Sequence, residues 1–336
     1  MVHCVRVRGF VPALLGLLMV TPVSLLHAQG NSEGVAGGRR IIEAGQPPVV
    51  IHATVGAAVA AREARGRPGG GGSKNLSYHG GTGGIGVETA PQIYLVLWGS
   101  QWTNNDPSGE AAILQSFYGA VGGSSWLASV TQYCQGVASG TVTCGTSGAH
   151  AENQAATFGG VWADGGSAAP SHPTQSQLAA EAVKAAAHFN NTLAGSNDSV
   201  QYVIATAHGN SSSGFGTQYC AWHSSTSSSA GNIAYTNLPY ITDAGASCGA
   251  NFNGLGANAG ITIVGGHEMG ETITDQFPSS GWLDSNGAEN GDKCAWISSG
   301  QGASANISLS GNLFPVQSLW SNAFNSGAGG CVLSYP

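Results

Sequence analysis

Charge is what this 336-residue chain has least of: Asp, Glu, Lys and Arg make up 8% of it. Beyond residue 74 only Lys184 and Lys293 stand against fourteen acidic residues, a balance of minus twelve. A body this acidic is a poor match for nucleic acid, whose binding needs clustered Lys and Arg. Long apolar runs are also missing. The longest, Phe10 to Val20, has about half the ~20 residues of a membrane span. No C-x-x-C pair exists, which argues against a thiolate zinc site. GGTGGIG at 80–86 has neither a preceding strand nor a following Lys, so it reads as a glycine-rich turn rather than a phosphate loop.

What is present begins with a basic start (Arg6, Arg8), the apolar run, and small residues leading to Ala28. That pattern is a secretory signal peptide over 1–28, and it makes the mature protein soluble and secreted. Cys4 leaves with it. Six cysteines remain, an even number suited to an oxidising compartment, and their order suggests the local pairs Cys134 with Cys144, Cys220 with Cys248, and Cys294 with Cys331. Residues 29–74 show no clear period and end in AREARGRPGGGGSK. They are expected to be either a basic pro-segment cut near Arg65 or Arg67, or a tether.

Residues 75–336 have the size of one globular domain. PQIYLVLWG at 91–99 and VQYVIATAHG at 200–209 read as buried strands. Helices are expected at 109–121 and 176–193, with a further one starting near Gly260. Two shorter strand candidates lie in TQYCAWHSS and NIAYTNLPYI. The expected class is α+β, a mixed sheet packed by helices, with a loop-rich, disulfide-bonded final third after Asp275.

The chemistry concentrates between His267 and Asp292, where six of the fourteen acidic residues of the globular region lie. On a helix His267 and Glu271, four residues apart, share a face. H-E-x-x-H helices present two zinc ligands this way, while the Glu after the first His handles water. Here the motif is H-E-x-x-E, so Glu271 offers a carboxylate in place of the second imidazole and Glu268 is the candidate catalytic base. Glu289 is the favoured third ligand, with Asp284 and Asp292 as rivals. Asp275, two turns along the helix, either ligates or steadies His267 by a hydrogen bond. DSNGAENGD at 284–292 is also tested as a calcium loop, but Ala288 and Glu289 break that register. His208 and His223 are weaker candidates for the wall of a cleft. Glu268 and Glu271 as a glycosidase pair are disfavoured, since neighbours on one helix rarely face each other across a substrate.

GGHEMGETITD followed by GWLDSNGAENGDKCAW, with YCAWHSS and IAYTNLPY upstream, resembles a group of secreted bacterial zincin-like proteins with an H-E-x-x-E-x-x-T-D segment. The resemblance covers residues 76–336. It implies a zincin-like fold with a backing helix and an active-site helix, zinc on His267 and Glu271, and Glu268 as base. SYHGG and LVLWGSQW resemble, more faintly, the plant phosphate-induced, EXORDIUM-like extracellular proteins, which implies a cell-wall protein without catalysis. The resulting expectation is a secreted zinc endopeptidase acting on protein or peptide. The alternative is a non-catalytic extracellular protein with structural calcium or no metal.

Overall fold

The structure, a computed structural model, describes residues 1–3, 38–65 and 75–335. The chain divides into two units, Met1–Glu33 and Gly34–Pro336. The signal-peptide segment beyond residue 3 and the glycine run after Arg65 lie outside the described residues. In chain order the main elements are β1 (Gly38–Arg40), β2 (Val49–Ala53), α1 (Val55–Arg65), β3 (Gln92–Trp98), α2 (Glu110–Val121), β4 (Phe158–Asp164), α3 (Gln175–His188), β5 (Val200–Thr206), β6 (Tyr219–Ser228), β7 (Gly231–Leu238) and α4 (Ala259–Thr274).

Seven strands form one mixed sheet in the order β1-β2-β6-β7-β5-β3-β4. Its centre is parallel, β7 with β5, β5 with β3 and β3 with β4. β6 runs antiparallel to both β7 and β2. Side chains on a strand alternate between faces. Thus Ile93, Leu95, Leu97, Val203 and Ala205 pack with α2 and α4, and Val96, Trp98, Tyr202 and Ile204 pack with α3 on the opposite face. A sheet covered on both faces explains why its central strands read as nearly unbroken apolar runs.

α3 shows how local sequence sets a boundary. Thr174 and Gln177 form a reciprocal capping box at its start. The helix ends at His188 rather than at 193 as expected, because Asn190 turns left-handed (φ 61°) and the Asn191 N–H donates back to the Ala186 carbonyl at 2.8 Å. Alanine content extended the expected helix past a stop that asparagine supplies. The strand candidates in TQYCAWHSS and NIAYTNLPYI both form, and they are longer than the seven-residue β3 and β5. They form one long hairpin of ten and eight residues.

The final third is mostly loop, pinned by short antiparallel pairs: 305–309 with 312–316, and 319–321 with 330–332. All three expected disulfides form. Cys220–Cys248 ties β6 to the segment before α4, and Cys294–Cys331 ties the 289–294 loop to the chain end. The larger departure concerns residues 38–65. They lacked a readable period, yet they add β1 and β2 to the main sheet and α1 beside it. Among the described residues no helix is long and apolar enough to cross a membrane.

Candidate metal centre

Every residue of α4 is buried, including His267, Glu268 and Glu271. Burying three ionisable groups on one helix requires compensating partners. The Nε2 of His267 lies 3.0 Å from Glu271 Oε1, the i,i+4 pairing expected of the motif. Its Nδ1 lies 3.2 Å from Gln317 Oε1, and Gln317 in turn donates to the Gly291 carbonyl at 2.9 Å. The ring that faces Glu271 is therefore oriented from behind by an amide.

The loop after α4 closes against this face. The Asp292 N–H donates to Glu271 Oε1 at 2.7 Å, and Asp292 Oδ1 stands 3.9 Å from His267 Nε2. Such an approach needs glycine at 291, where a Cβ would lie 2.8 Å from His267 Nδ1 and 2.9 Å from Glu271 Oε1. From the sheet side, β6 delivers His223. Its Nδ1 is 3.1 Å from Glu268 Oε2 and 3.8 Å from Glu271 Oε2. Its Nε2 is 3.4 Å from Glu289 Oε2, close enough for charge attraction though outside hydrogen-bond geometry.

Three sets of possible ligand atoms result, each within 4.8 Å: His267, Glu271 and Asp292; His223, Glu271 and Glu289; and His52, His267 and Glu268. Glu271 joins the first two. The expected triad of His267, Glu271 and Glu289 is therefore split between two sets. Asp292, placed among the rivals, stands with His267 and Glu271. The other rivals serve elsewhere. Asp284 Oδ1 accepts the Asn286 and Ala288 N–H groups, and its Oδ2 pairs with Lys293 at 3.0 Å. Asp275 does not hold His267. Its carboxylate accepts the N–H groups of residues 279 to 281, closing the turn after α4. His208 is half exposed and pairs with Asp243.

Sequence reasoning passed over two participants. Gln317 lies on no motif. His52 sits inside VVIHA, where a β-branched run around a polar residue is the only signal of a strand. Its ring stacks on that of His267, centroids 3.7 Å apart and planes within 1°, and packs on Trp296 at 4.9 Å.

Electrostatics follow from burial. Burial pushes Glu268 upward, and it carries Glu289 and Asp292 well above the carboxylate range, with the Glu271 charge adding to the push on both. Burial acts the same way on Glu271, but the charge of His267, whose Nε2 lies 3.0 Å away, outweighs it and holds Glu271 below its ordinary value. Burial disfavours charge on His267, yet Glu271 and its acidic neighbours raise it to about 9. His223 is raised against burial too, chiefly through Glu268. His52 is driven well down by burial and then by His267.

The cluster, with four buried carboxyl groups against two imidazoles, thus calls for positive charge. A divalent cation fits the same demand. Several buried donor atoms have no hydrogen-bond partner, among them Nε2 of His223 and of His267, Oε2 of Glu271, both Glu289 oxygens and Oδ1 of Asp292. Mixed imidazole and carboxylate donors suit zinc. No family model, curated protein or solved structure matches the chain.

Proposed function

We propose that the protein is a secreted zinc-dependent endopeptidase with a zincin-like arrangement of helix and sheet. One observation carries this reading: α4 brings His267 and Glu271 onto a single buried face with Asp292, and Glu268 lies one residue from the first of these ligands with Oε1 unpartnered. His267, Glu271 and Asp292 would hold the ion, and Glu289 with His223 forms the adjoining wall. When bound, zinc polarises a peptide carbonyl and acidifies water. Glu268, whose carboxyl burial has raised, is suited to take a proton from that water and deliver it to the leaving amine. His223, bonded to Glu268 Oε2, fixes the orientation of that carboxylate. The three disulfides and the signal-peptide pattern at 1–28 support an extracellular setting.

A second reading, a structural cation without catalysis, draws support from the burial of the whole cluster. Calcium suits it poorly, because calcium takes oxygen ligands and imidazoles stand at each of the three sets. Peptide cleavage separates the two readings. Glu268→Gln is expected to lower kcat/KM by about 10²- to 10⁴-fold with zinc content unchanged. Cleavage unchanged in that variant contradicts the peptidase.

A further inference from the structure

An endopeptidase must admit an extended chain to its reacting groups, yet Glu268 and both candidate imidazoles of the body are buried. The cover comes from the chain itself. β2 lies along the outer edge of β6, pairing Val50 with His223, Ile51 with Trp222 and His52 with Ala221. Without β1 and β2, β6 would be the edge strand of the sheet. An unpaired strand edge is a ready acceptor for an extended peptide.

Alternation then sends the side chains of β2 to opposite faces. Val49 and Ile51 enter the core on the α3 side. His52 reaches the α4 side, where it lies flat on His267 and shares a ligand-distance group with His267 and Glu268. Both His52 nitrogens are buried and without a hydrogen-bond partner. An imidazole chosen for packing alone would leave that desolvation uncompensated. Beside an ion held by His267, an Nδ1 or Nε2 lone pair has a use.

Separate anchors keep the segment in place. Glu43 accepts from the Ser176 N–H and hydroxyl at 2.9 and 3.0 Å. The Trp296 indole donates to the Ala53 carbonyl at 2.7 Å. The Arg62 guanidinium donates to the carbonyls of Ala295 and Trp296. The sequence that follows, with Arg65, Arg67 and a glycine run, offers basic sites for a cut between this segment and the body.

We propose that residues 38–65 are an internal inhibitor, with β2 filling the peptide-binding edge of β6 and His52 closing the space over His267 and Glu268. The inhibitory role rests on the peptidase reading; the occupancy of the edge does not.

The test is made on the full chain carrying a specific protease site within 66–74. After the cut the leader, the part of the chain that carries residues 38–65, is separated under native conditions, and hydrogen exchange at 219–224 is followed with the rate of zinc loss to a chelator. Exchange in β6 and zinc loss are both expected to quicken at least about tenfold while α4 stays protected. Added synthetic peptide 38–65 should restore both, and a peptide with His52→Ala should restore β6 protection but not zinc retention. Unchanged β6 exchange, a body that unfolds once the leader is gone, or equal peptide cleavage by intact and freed chains would overturn the proposal. A freed β6 edge in a protein that binds no zinc and cleaves nothing would instead sink the peptidase reading.

Discussion

Helices α3 and α4 lie on opposite faces of one sheet and solve the burial of acid in different ways. On α3, Glu181 and the nearby Asp164 share Lys184, whose side chain is half exposed. Burial raises Glu181 to about 8 and Lys184 opposes the rise. At α4 the ion-pair partners of Glu268 and Glu271, and of Glu289 and Asp292 from the loop that closes on it, are the imidazoles of His223 and His267. A half-exposed lysine gives its two buried carboxylates a fixed positive charge, whereas buried imidazoles leave donor atoms facing one another. The first pattern carries its own cation; the second is the one proposed to take up a metal ion.

The helices differ in their own stability as well. α3 is alanine-rich and capped, so its sequence favours a helix locally. α4 has no side-chain cap and contains Gly260, Gly265, Gly266 and Gly270. A Cβ at Gly266 would sit 3.2 Å from the Phe117 and Trp126 rings. Each glycine lowers helix propensity by about 1 kcal/mol relative to alanine, so α4 is held by what surrounds it.

The largest effect that sharpens this contrast lies at Glu88, a buried carboxyl near the end of α4. Its Oε2 accepts from Gln201 at 2.9 Å, and its backbone N–H donates to the Ile273 carbonyl. Burial raises it to about 8. The folded state therefore holds a proton the unfolded chain has lost, and stability falls as pH rises from about 4.5 to about 8. Glu88→Gln should remove that slope and gain about 3–5 kcal/mol at pH 8, at ~1.4 kcal/mol per unit of pKa, in denaturant titrations at pH 5 and pH 8. A parallel pair of curves would show that no proton is held there.

Gly291→Ala comes next. The added methyl group would press on His267 and Glu271, and about 1–3 kcal/mol of stability should be lost together with zinc affinity. Retained zinc would mean that the loop has room to retreat. Thr174→Ala, which removes the α3 cap, should cost about 1 kcal/mol and leave zinc untouched. Lys184→Ala should change stability by less than about 1 kcal/mol, because its side chain is 53% exposed. If Lys184→Ala proved as damaging as Gly291→Ala, the contrast between the helices would fail.

Much of this was legible from residues alone. The apolar strands, the alanine-rich helix, the disulfide order and the helical H-E-x-x-E segment all announce themselves through local chemistry. The site is legible only where it is local. His267, Glu268 and Glu271 lie on one helix, but choosing Asp292 over Glu289 beside His267 depends on how Gly291 lets the loop approach. His52 and Gln317 arrive from 215 residues before and 50 residues after His267, and only the sheet order and the final loops bring them in. The leader's strand was hidden because β2 is five residues long, too short for periodicity to separate from a loop.

The buried imidazole and carboxylate cluster is proposed to hold a metal ion. Metal analysis of the full chain, purified without chelator and dialysed against zinc-free buffer, tests it directly. Stoichiometric zinc in the wild type that is lost in Glu271→Ala, with the fold retained by circular dichroism, is the predicted result. A wild-type chain that carries no divalent metal and takes up none when zinc is supplied would contradict it.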